Sequence, residues 1–324
     1  MYTIKELQEF VEQKIQSLNT DKEPKGLYEP INYILGIGGK RIRPVLVLSA
    51  YNLYRDNIED IIRPALALEV FHNFTLLHDD IMDKADIRRN QPTVHKKWSE
   101  NTAILSGDAM SIRAYMLIAE TPSQVLPQVL RVFNQTALEV CEGQQYDMDF
   151  ETRLDVREEE YLEMIRLKTS VLIAGSLKIG AILADAPALD ADNIYDFGLN
   201  LGLAFQLQDD YLDSFGDVKV FGKKIGNDIL SNKKTFLLIN ALKRADKETK
   251  NQLISLIEKT DFDSQEKIDT VLEIYKKTNA DKLLKEKMAF YYEKAIKSLN
   301  SLSVDGDKTK ILHDFAEKMM VREK

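Results

Sequence analysis

Length, composition and charge limit what this chain can be. Its 324 residues are 44% hydrophobic and 30% charged, which is typical of a folded globular protein rather than a disordered one. The formal net charge of −8 argues against general nucleic-acid binding, which needs a basic surface, and means that an anionic substrate must be held by local cations or metal ions.

The chain carries no signal for export or membrane insertion. No apolar run approaches the roughly 20 residues that span a bilayer, and residues 1–16 carry charges throughout instead of a basic-then-apolar leader. The single cysteine, Cys141, cannot form an internal disulfide. We therefore expect a cytoplasmic protein without an integral membrane segment.

Helical periodicity dominates the sequence in chain order. Apolar residues spaced three or four apart predict an amphipathic helix in residues 4–18, and similar patterns recur in residues 63–83, 195–215 and 234–243. Strand signals are nearly absent and no flexible linker divides the chain, so we predict a single all-α domain spanning residues 1–324. The predicted breaks between helices are Thr20–Lys25, Thr121–Ser123, Asp185–Asp192 and Ser303–Lys308.

Two of the predicted helices are apolar on most faces, and each ends in aspartates with the spacing D-D-x-x-D. Like charges four residues apart destabilise a bare helix, so a cation is needed to neutralise them. Ligands that are all oxygen favour Mg²⁺, which completes its shell with water and substrate phosphates. One such cluster is more often a solvated helix end, but two copies make that reading much weaker. The clusters are Asp79, Asp80, Asp83 and Asp209, Asp210, Asp213.

Cationic residues occur where a phosphate-bearing ligand would need them. Gly38–Pro44 is a glycine-containing loop with three cations that opens a helix, a favourable place for an anion. Arg88 and Arg89 closely follow the first cluster, and arginine binds phosphate oxygens bidentately. His72 lies two helical turns before Asp79 and so shares its face. Taken alone, each of these groups would be ordinary surface charge or a core histidine.

Together these segments resemble the trans-isoprenyl diphosphate synthases, or polyprenyl synthetases, of the short-chain type. Nine short motifs fall in the family's order over about residues 30 to 240. They are GGKRIRP (Gly38–Pro44), HNFTLLHDDIMD (His72–Asp83), RRNQPTVH (Arg88–His95), GDAM (Gly107–Met110), EGQQYDM (Glu142–Met148), KT (Lys168-Thr169), QLQDDYLD (Gln206–Asp213), GKKIGND (Gly222–Asp228) and NKKT (Asn232–Thr235).

The resemblance implies a helical bundle around a deep central cavity, a homodimer, and a Mg²⁺-dependent transfer of an allylic group to isopentenyl diphosphate. Three Mg²⁺ ions are implied, with Mn²⁺ as a substitute. Their implied ligands are Asp79, Asp80, Asp83 and Asp209, with Asp210 and Asp213 completing the second cluster. Implied contacts of the allylic diphosphate are Arg88, Lys168, Lys223 and Lys233. Implied contacts of isopentenyl diphosphate are Lys40, Arg43, His72 and Arg89, while Thr169 and Gln206 face the developing cation.

One residue departs from the family's pattern. Asn90 stands where the family usually has glycine after the arginine pair, which could alter the loop but removes no charge.

Two alternatives stay open beside chain elongation. A class I terpene cyclase shares the first cluster but usually carries an Asn/Ser/Glu-type second metal motif. A non-catalytic subunit of a heteromeric synthase typically loses metal aspartates, whereas this chain keeps all six.

Two aromatic residues on the helix of the first cluster are candidates for setting product length. Phe74 lies five residues before Asp79 and Phe71 eight before, three apart and therefore on one face. An aromatic at the position of Phe74 and an uninterrupted D-D-x-x-D resemble archaeal-type geranylgeranyl diphosphate synthases. We therefore expect a C20 product, with C15 as the close alternative because Phe71 could shorten the pocket.

Overall fold

The structure, a computed structural model, describes residues 2–216, 225–259 and 263–320. Within those ranges it is almost entirely helical, as the sequence predicts. Numbered in chain order, the helices of the first half are α1 (Ile4–Gln16), α2 (Lys25–Gly36), α3 (Ile42–Asn52), a 3-10 turn (Ile58–Ile61), α4 (Ile62–Met82), α5 (Val94–Lys97), α6 (Glu100–Ile118) and α7 (Leu126–Glu151).

The second half continues with a π-helical turn and further α-helices. They are α8 (Glu158–Ile165), the π-turn (Arg166–Ser170), α9 (Val171–Leu183), α10 (Ala188–Phe215), α11 (Asn227–Leu230), α12 (Phe236–Arg244), α13 (Lys247–Glu258), α14 (Ser264–Lys277), α15 (Ala280–Leu299) and α16 (Gly306–Met320). A two-residue antiparallel ribbon, β1 (Ile87–Arg88) with β2 (Gln91–Pro92), is the sheet found among the described residues.

Local sequence explains where several helices begin. Thr3 caps α1 in a capping box with Glu6, and Ser99 caps α6 by accepting a hydrogen bond from Thr102 N. The predicted break at Asp185–Asp192 is wrong in its second half, because α10 already begins at Ala188. Asp190 lies buried in that first turn, where Tyr54 Oη and Ser303 Oγ both donate to its carboxylate.

The chain forms two compact units. The first comprises Met1–Gln135, Gly175–Tyr195 and Leu302–Ile311. In it, α4 packs against α3 and α6, with Leu66, Leu68 and Val70 almost fully buried. Gly180 is a point of close approach, because an added Cβ would lie 2.2 Å from Val47 O. This unit carries the first aspartate cluster at the end of α4.

The second unit comprises Thr136–Ala174, Asp196–Ser301 and the chain from Leu312 onward. Its core gathers apolar side chains from α8, the end of α10, and α12 to α15, with Phe236, Leu253 and Leu284 essentially inaccessible. This unit carries the second aspartate cluster. The single-domain organisation of residues 1–324 stays a prediction.

No helix among the described residues is both long enough and apolar enough to cross a bilayer.

Candidate active site

The first aspartate cluster lies where α4 ends. Asp79 and Asp80 occupy the last turn of α4, and Asp83 is its C-cap, with its backbone N–H donating to Asp79 O. Arg88 Nε donates to both carboxylate oxygens of Asp80 at 2.9 Å, and Arg88 Nη2 lies 3.5 Å from Asp79 Oδ2. Burial raises the pKa of Asp80 although Arg88 works against it. Arg88 alone therefore cannot neutralise all three carboxylates at this helix end.

The ribbon after α4 turns through Arg89 and Asn90, both in the left-handed region with φ of 52° and 62°. Two positive φ values between paired strands are typical of a type I′ hairpin, in which asparagine is among the favoured residues. Asn90, the departure from the family's usual glycine, can therefore form the same turn. The turn brings Arg89 against Gly39, where an added Cβ would lie 2.6 Å from the guanidinium, and Arg89 Nη1 donates to Gly38 O.

The basic loop before α3 presents its three cations differently. Lys40 is exposed and Arg43 is half-buried, with its Nε buried and without a hydrogen-bond partner. Arg41, the third cation of the loop, is 3% exposed and is bonded to Glu12, Glu69 and Leu35 O, so its guanidinium is already paired within the protein. The buried carboxylate of Glu69 and the half-exposed carboxylate of Glu12 pair with the Arg41 guanidinium, which the sequence spacing cannot reveal.

His72 lies in the field of these arginines. Its pKa is lowered well below the ordinary value, first by burial and then by the charges of Arg43, Arg89, Arg88 and Arg41. The imidazole is therefore neutral at pH 7 and can donate one N–H to an anion without adding a charge.

Phe71 and Phe74 are part of a run of aromatic contacts in the first unit. Phe74 is half-buried, its ring centroid 4.8 Å from that of His78 and 5.5 Å from that of Phe71. Phe71 is 2% exposed and contacts Phe133 at 5.4 Å, and Phe133 contacts Tyr115 at 5.1 Å. Phe74 is thus the more accessible ring, and Phe71 packs behind it against other helices.

The second aspartate cluster lies near the end of α10 and is more buried than the first. Tyr161 Oη and Phe236 N both donate to Asp210 Oδ2. Asp228 N donates to Asp213 Oδ2 at 2.9 Å, which brings a fourth carboxylate to the cluster. Burial and the charge of Asp228 raise the pKa of Asp210 to about 8. Burial and the charge of Asp213 raise the pKa of Asp228 to about 6.

Lys168 and Thr169 lie in the π-turn between α8 and α9, a geometry that is frequent at functional sites. Lys168 Nζ is 2.6 Å from Asp147 Oδ2, and Thr169 Oγ1 donates to Gln206 Oε1 at 3.3 Å. Gly143 of α7 lets the turn approach, because an added Cβ would lie 2.3 Å from Lys168 N. The glycine explains why this turn and Asp147 can meet.

A cavity of about 110 Å³ in the second unit collects many of these groups. Five residues with a predicted role line it: Lys168, Thr169, Gln206, Asp210 and Lys233. Among its other lining residues are three ionisable ones to which the sequence analysis gave no role: Asp147, Tyr161 and Asp228. Asp147 and Asp228 lie in the motifs EGQQYDM and GKKIGND. An ionisable residue within a family motif was therefore the signal by which the sequence could have marked them as site residues. Lys223, another predicted contact, lies outside the described residues.

The chemistry of these donors fits Mg²⁺. Burial, and then repulsion from neighbouring carboxylates, raises the pKa of Asp210 and of Asp228, and a bound cation would favour their ionised forms. In the described ranges, no three His, Cys, Asp or Glu side chains enclose a metal by themselves. Mg²⁺ usually takes one or two protein carboxylates and draws its other ligands from phosphates and water.

Comparison with known proteins identifies the family. The polyprenyl synthetase family model matches residues 24–275. A geranylgeranyl diphosphate synthase of Methanosarcina mazei is 42% identical over 74% of this chain and 75% of its own length. A geranylfarnesyl diphosphate synthase of Natronomonas pharaonis is 39% identical over 74% of this chain and 75% of its own length.

Solved structures agree with the sequence relatives. A crystal structure of a geranylgeranyl pyrophosphate synthase superposes with a TM-score of 0.94 at 46% identity, covering 100% of both chains. The enzyme of the same name from Corynebacterium glutamicum, solved with isoprenyl diphosphate and magnesium, gives a TM-score of 0.88 at 25% identity, covering 99% of this chain and 100% of its own. The fold, the aspartate clusters and the matched length lead to one conclusion: the chain belongs to the polyprenyl synthetase family.

Proposed function

We propose that this chain catalyses head-to-tail condensation of isopentenyl diphosphate with allylic diphosphates, giving a short all-trans prenyl diphosphate and free diphosphate. The observation that carries the proposal is that each aspartate cluster is accompanied by cations. Arg88 contacts Asp79 and Asp80, while Lys168 and Lys233 line a cavity with Asp210. Carboxylates for a divalent ion beside cations for phosphate oxygens are the groups that a diphosphate leaving group requires.

The proposed contacts of the allylic diphosphate are Arg88, Lys168, Lys223 and Lys233. Bound Mg²⁺, proposed as three ions that Mn²⁺ can replace, would supply the positive charge that stabilises the departing diphosphate. The chain's own cations add charge-assisted hydrogen bonds to the same oxygens. The proposed ligands of the ions are Asp79, Asp80, Asp83 and Asp209, with Asp210 and Asp213 as partners in the second cluster.

Isopentenyl diphosphate is proposed to bind at Lys40, Arg43, His72 and Arg89. Three features support this assignment: the exposed lysine, the buried Nε of Arg43 that has no hydrogen-bond partner, and a histidine whose pKa is lowered by burial and by the surrounding arginines. A neutral imidazole donates to the diphosphate, and the arginines supply the charge. The site is thus suited to a multiply charged diphosphate headgroup that is bound by cations of the protein.

Carbon–carbon bond formation then needs a dry environment and a proton acceptor. The half-buried ring of Phe74 would cover the allylic carbon chain, and apolar walls keep water from the cation. Thr169 and Gln206, hydrogen-bonded to each other, present oxygen dipoles that would stabilise that cation. The departed diphosphate is the proposed base for the proton lost from the isopentenyl unit.

For product length we propose C20, with C15 as the alternative. Phe74 is the more accessible of the two phenylalanine rings on α4 and the nearer in sequence to the first cluster, while Phe71 is packed behind it. The similarity to a geranylgeranyl diphosphate synthase supports this length, and the similarity to a geranylfarnesyl diphosphate synthase shows that a longer product occurs among close relatives.

We also propose that the active form is a homodimer. Leu105, Ile112 and Met116 of α6 are 60%, 63% and 65% exposed, and their spacing of seven and four puts them on one helical face. A row of exposed apolar side chains is a common feature of subunit interfaces. Light scattering coupled to gel filtration tests this: the intact chain should give twice the monomer mass.

The proposed reaction is tested by removing one ligand from each cluster. Asp79→Ala and Asp209→Ala should each reduce turnover of isopentenyl diphosphate with an allylic starter by about 10²–10³, because each removes support for the leaving group's charge. Asp185→Ala, an exposed aspartate outside the clusters, is the matched control and should retain activity. Near-native turnover of both cluster variants in Mg²⁺ would overturn the assignment.

A further inference from the structure

Glu69 of α4 is a buried carboxylate that is bonded to Arg41 of the basic loop. It has no role in the reaction proposed above. Glu69 is 2% exposed and lies three residues before His72 on the same helix. Its Oε1 accepts from Arg41 Nη1 at 2.9 Å and from Asn73 Nδ2 at 3.1 Å. Its Oε2 is buried and has no hydrogen-bond partner. A buried charge in a core helix is costly unless it is paired, so its location needs an explanation.

Glu69 is shared electrostatically by three arginines. It is hydrogen-bonded to Arg41. Burial lowers the pKa of Arg43 and of Arg89, and the negative charge of Glu69 partly offsets that lowering. For Arg43 the pKa falls to about 10 despite Glu69. Arg43 and Arg89 repel each other, so the carboxylate helps keep two proposed substrate-binding guanidiniums close together and charged.

Arg41 connects this carboxylate to the loop. The residue caps α3 in the left-handed region with φ of 50°, a conformation that costs a non-glycine residue energy. Its guanidinium is fixed by Glu69 on one side and by Glu12 and Leu35 O on the other. Lys40 directly precedes Arg41 and Arg43 follows it two residues later, so the direction in which both side chains face depends on how firmly Arg41 is held.

We propose that Glu69 is a positioning residue for isopentenyl diphosphate: through Arg41 it fixes the Gly38–Pro44 loop so that Lys40, Arg43 and Arg89 converge on one diphosphate. Glu69 does not touch the substrate. The inference rests on the proposed function, because it concerns the affinity of the isopentenyl diphosphate site.

Two physical effects predict opposite results for Glu69→Gln. If the carboxylate only adds negative charge near an anion, its neutralisation should tighten isopentenyl diphosphate binding. If it holds the loop, the three arginines lose their shared counter-ion, repel one another, and bind the diphosphate less well. A buried ion pair broken on one side is strongly destabilising, so we expect the second effect to dominate.

The first test is calorimetric binding of isopentenyl diphosphate to the intact chain without Mg²⁺ or allylic substrate, followed by steady-state kinetics. Glu69→Gln should weaken binding and raise KM for isopentenyl diphosphate by about 10- to 150-fold, the effect of losing one oriented charged hydrogen bond. The kcat and the KM for the allylic substrate should change less than about threefold. Glu12→Gln is the matched control, because it removes the half-exposed carboxylate of the same Arg41 and should have the smaller effect.

A double-mutant cycle tests whether Glu69 acts through Arg41. Arg41→Gln should raise the same KM, and Arg41→Gln with Glu69→Gln should cost little more than either change alone. Additive effects, unchanged binding, or tighter binding by Glu69→Gln would each overturn the proposal. A wild-type chain that neither binds nor consumes isopentenyl diphosphate would overturn the proposed function itself. Circular dichroism melting of each variant identifies any loss that comes from unfolding.

Discussion

Replacing Phe74 by alanine should lengthen the product. If Phe74 is the floor that stops the growing chain, the next obstacle is the Phe71 ring, whose centroid lies 5.5 Å away. One isoprene unit lengthens the main chain by four carbon–carbon bonds, roughly 5 Å when extended. Phe74→Ala should therefore add about one unit, giving C25 if the wild-type product is C20, with turnover preserved.

The aromatic run also gives the size of the second step. Behind Phe71 the Phe133 ring lies 5.4 Å away, so Phe71→Ala with Phe74→Ala should allow about one further unit. Phe71 is 2% exposed, and truncating a buried phenylalanine costs about 3–5 kcal/mol, so the double variant needs a stability check by thermal melting.

The assay is mass analysis of products formed from isopentenyl diphosphate with each allylic starter. Phe290→Ala, which removes a ring that is 49% exposed, is the control and should leave product length unchanged. An unchanged distribution in Phe74→Ala and in the double variant would refute the reasoning, because both rings would then serve only in helix packing.

Three further predictions concern single contacts. Arg89→Ala and Lys40→Ala should raise KM for isopentenyl diphosphate by about 10- to 150-fold with less effect on the allylic substrate; the reverse pattern in initial-rate kinetics would reverse the two-site assignment. Tyr161→Phe removes a hydrogen bond that lowers the pKa of Asp210, so the pKa of this carboxyl should rise and less of it should be ionised below pH 8. The Mg²⁺ concentration that gives the half-maximal rate should therefore rise, and it should rise most at low pH. An unchanged Mg²⁺ titration at pH 7 would contradict this. Gly143→Ala places a Cβ against Lys168 N, so melting temperature and turnover should both fall, by about 1–3 kcal/mol in stability; a variant as stable and active as wild type would show that the π-turn tolerates displacement.

Periodicity and spacing predicted the helical class and the main elements because both depend on local sequence. The predicted helices at residues 63–83 and 234–243 correspond to Ile62–Met82 and Phe236–Arg244, and the predicted helix at 195–215 is the later part of Ala188–Phe215. Asp79 and Asp80 share the last turn of α4, as a helical D-D pair must.

The features that were missed depend on contacts distant in sequence. Spacing could not show that Arg41, between Lys40 and Arg43, turns inward to carboxylates 29 and 28 residues away. Nor could it show that Asp147 pairs with Lys168 21 residues later, or that the backbone of Asp228 is bonded to Asp213. Tertiary packing sets the positions of these three side chains, and residue type alone does not reveal that packing.

The most direct test of the central claim is the reaction of the purified wild-type chain. Labelled isopentenyl diphosphate is incubated with dimethylallyl, geranyl or farnesyl diphosphate, in Mg²⁺ or in excess chelator, and diphosphate release is measured together with product mass. Chain elongation predicts one diphosphate released for each isoprene unit added, a product that accumulates at C20, and no reaction in chelator. A cyclic hydrocarbon, an absence of turnover with every starter, or undiminished turnover in chelator would contradict it.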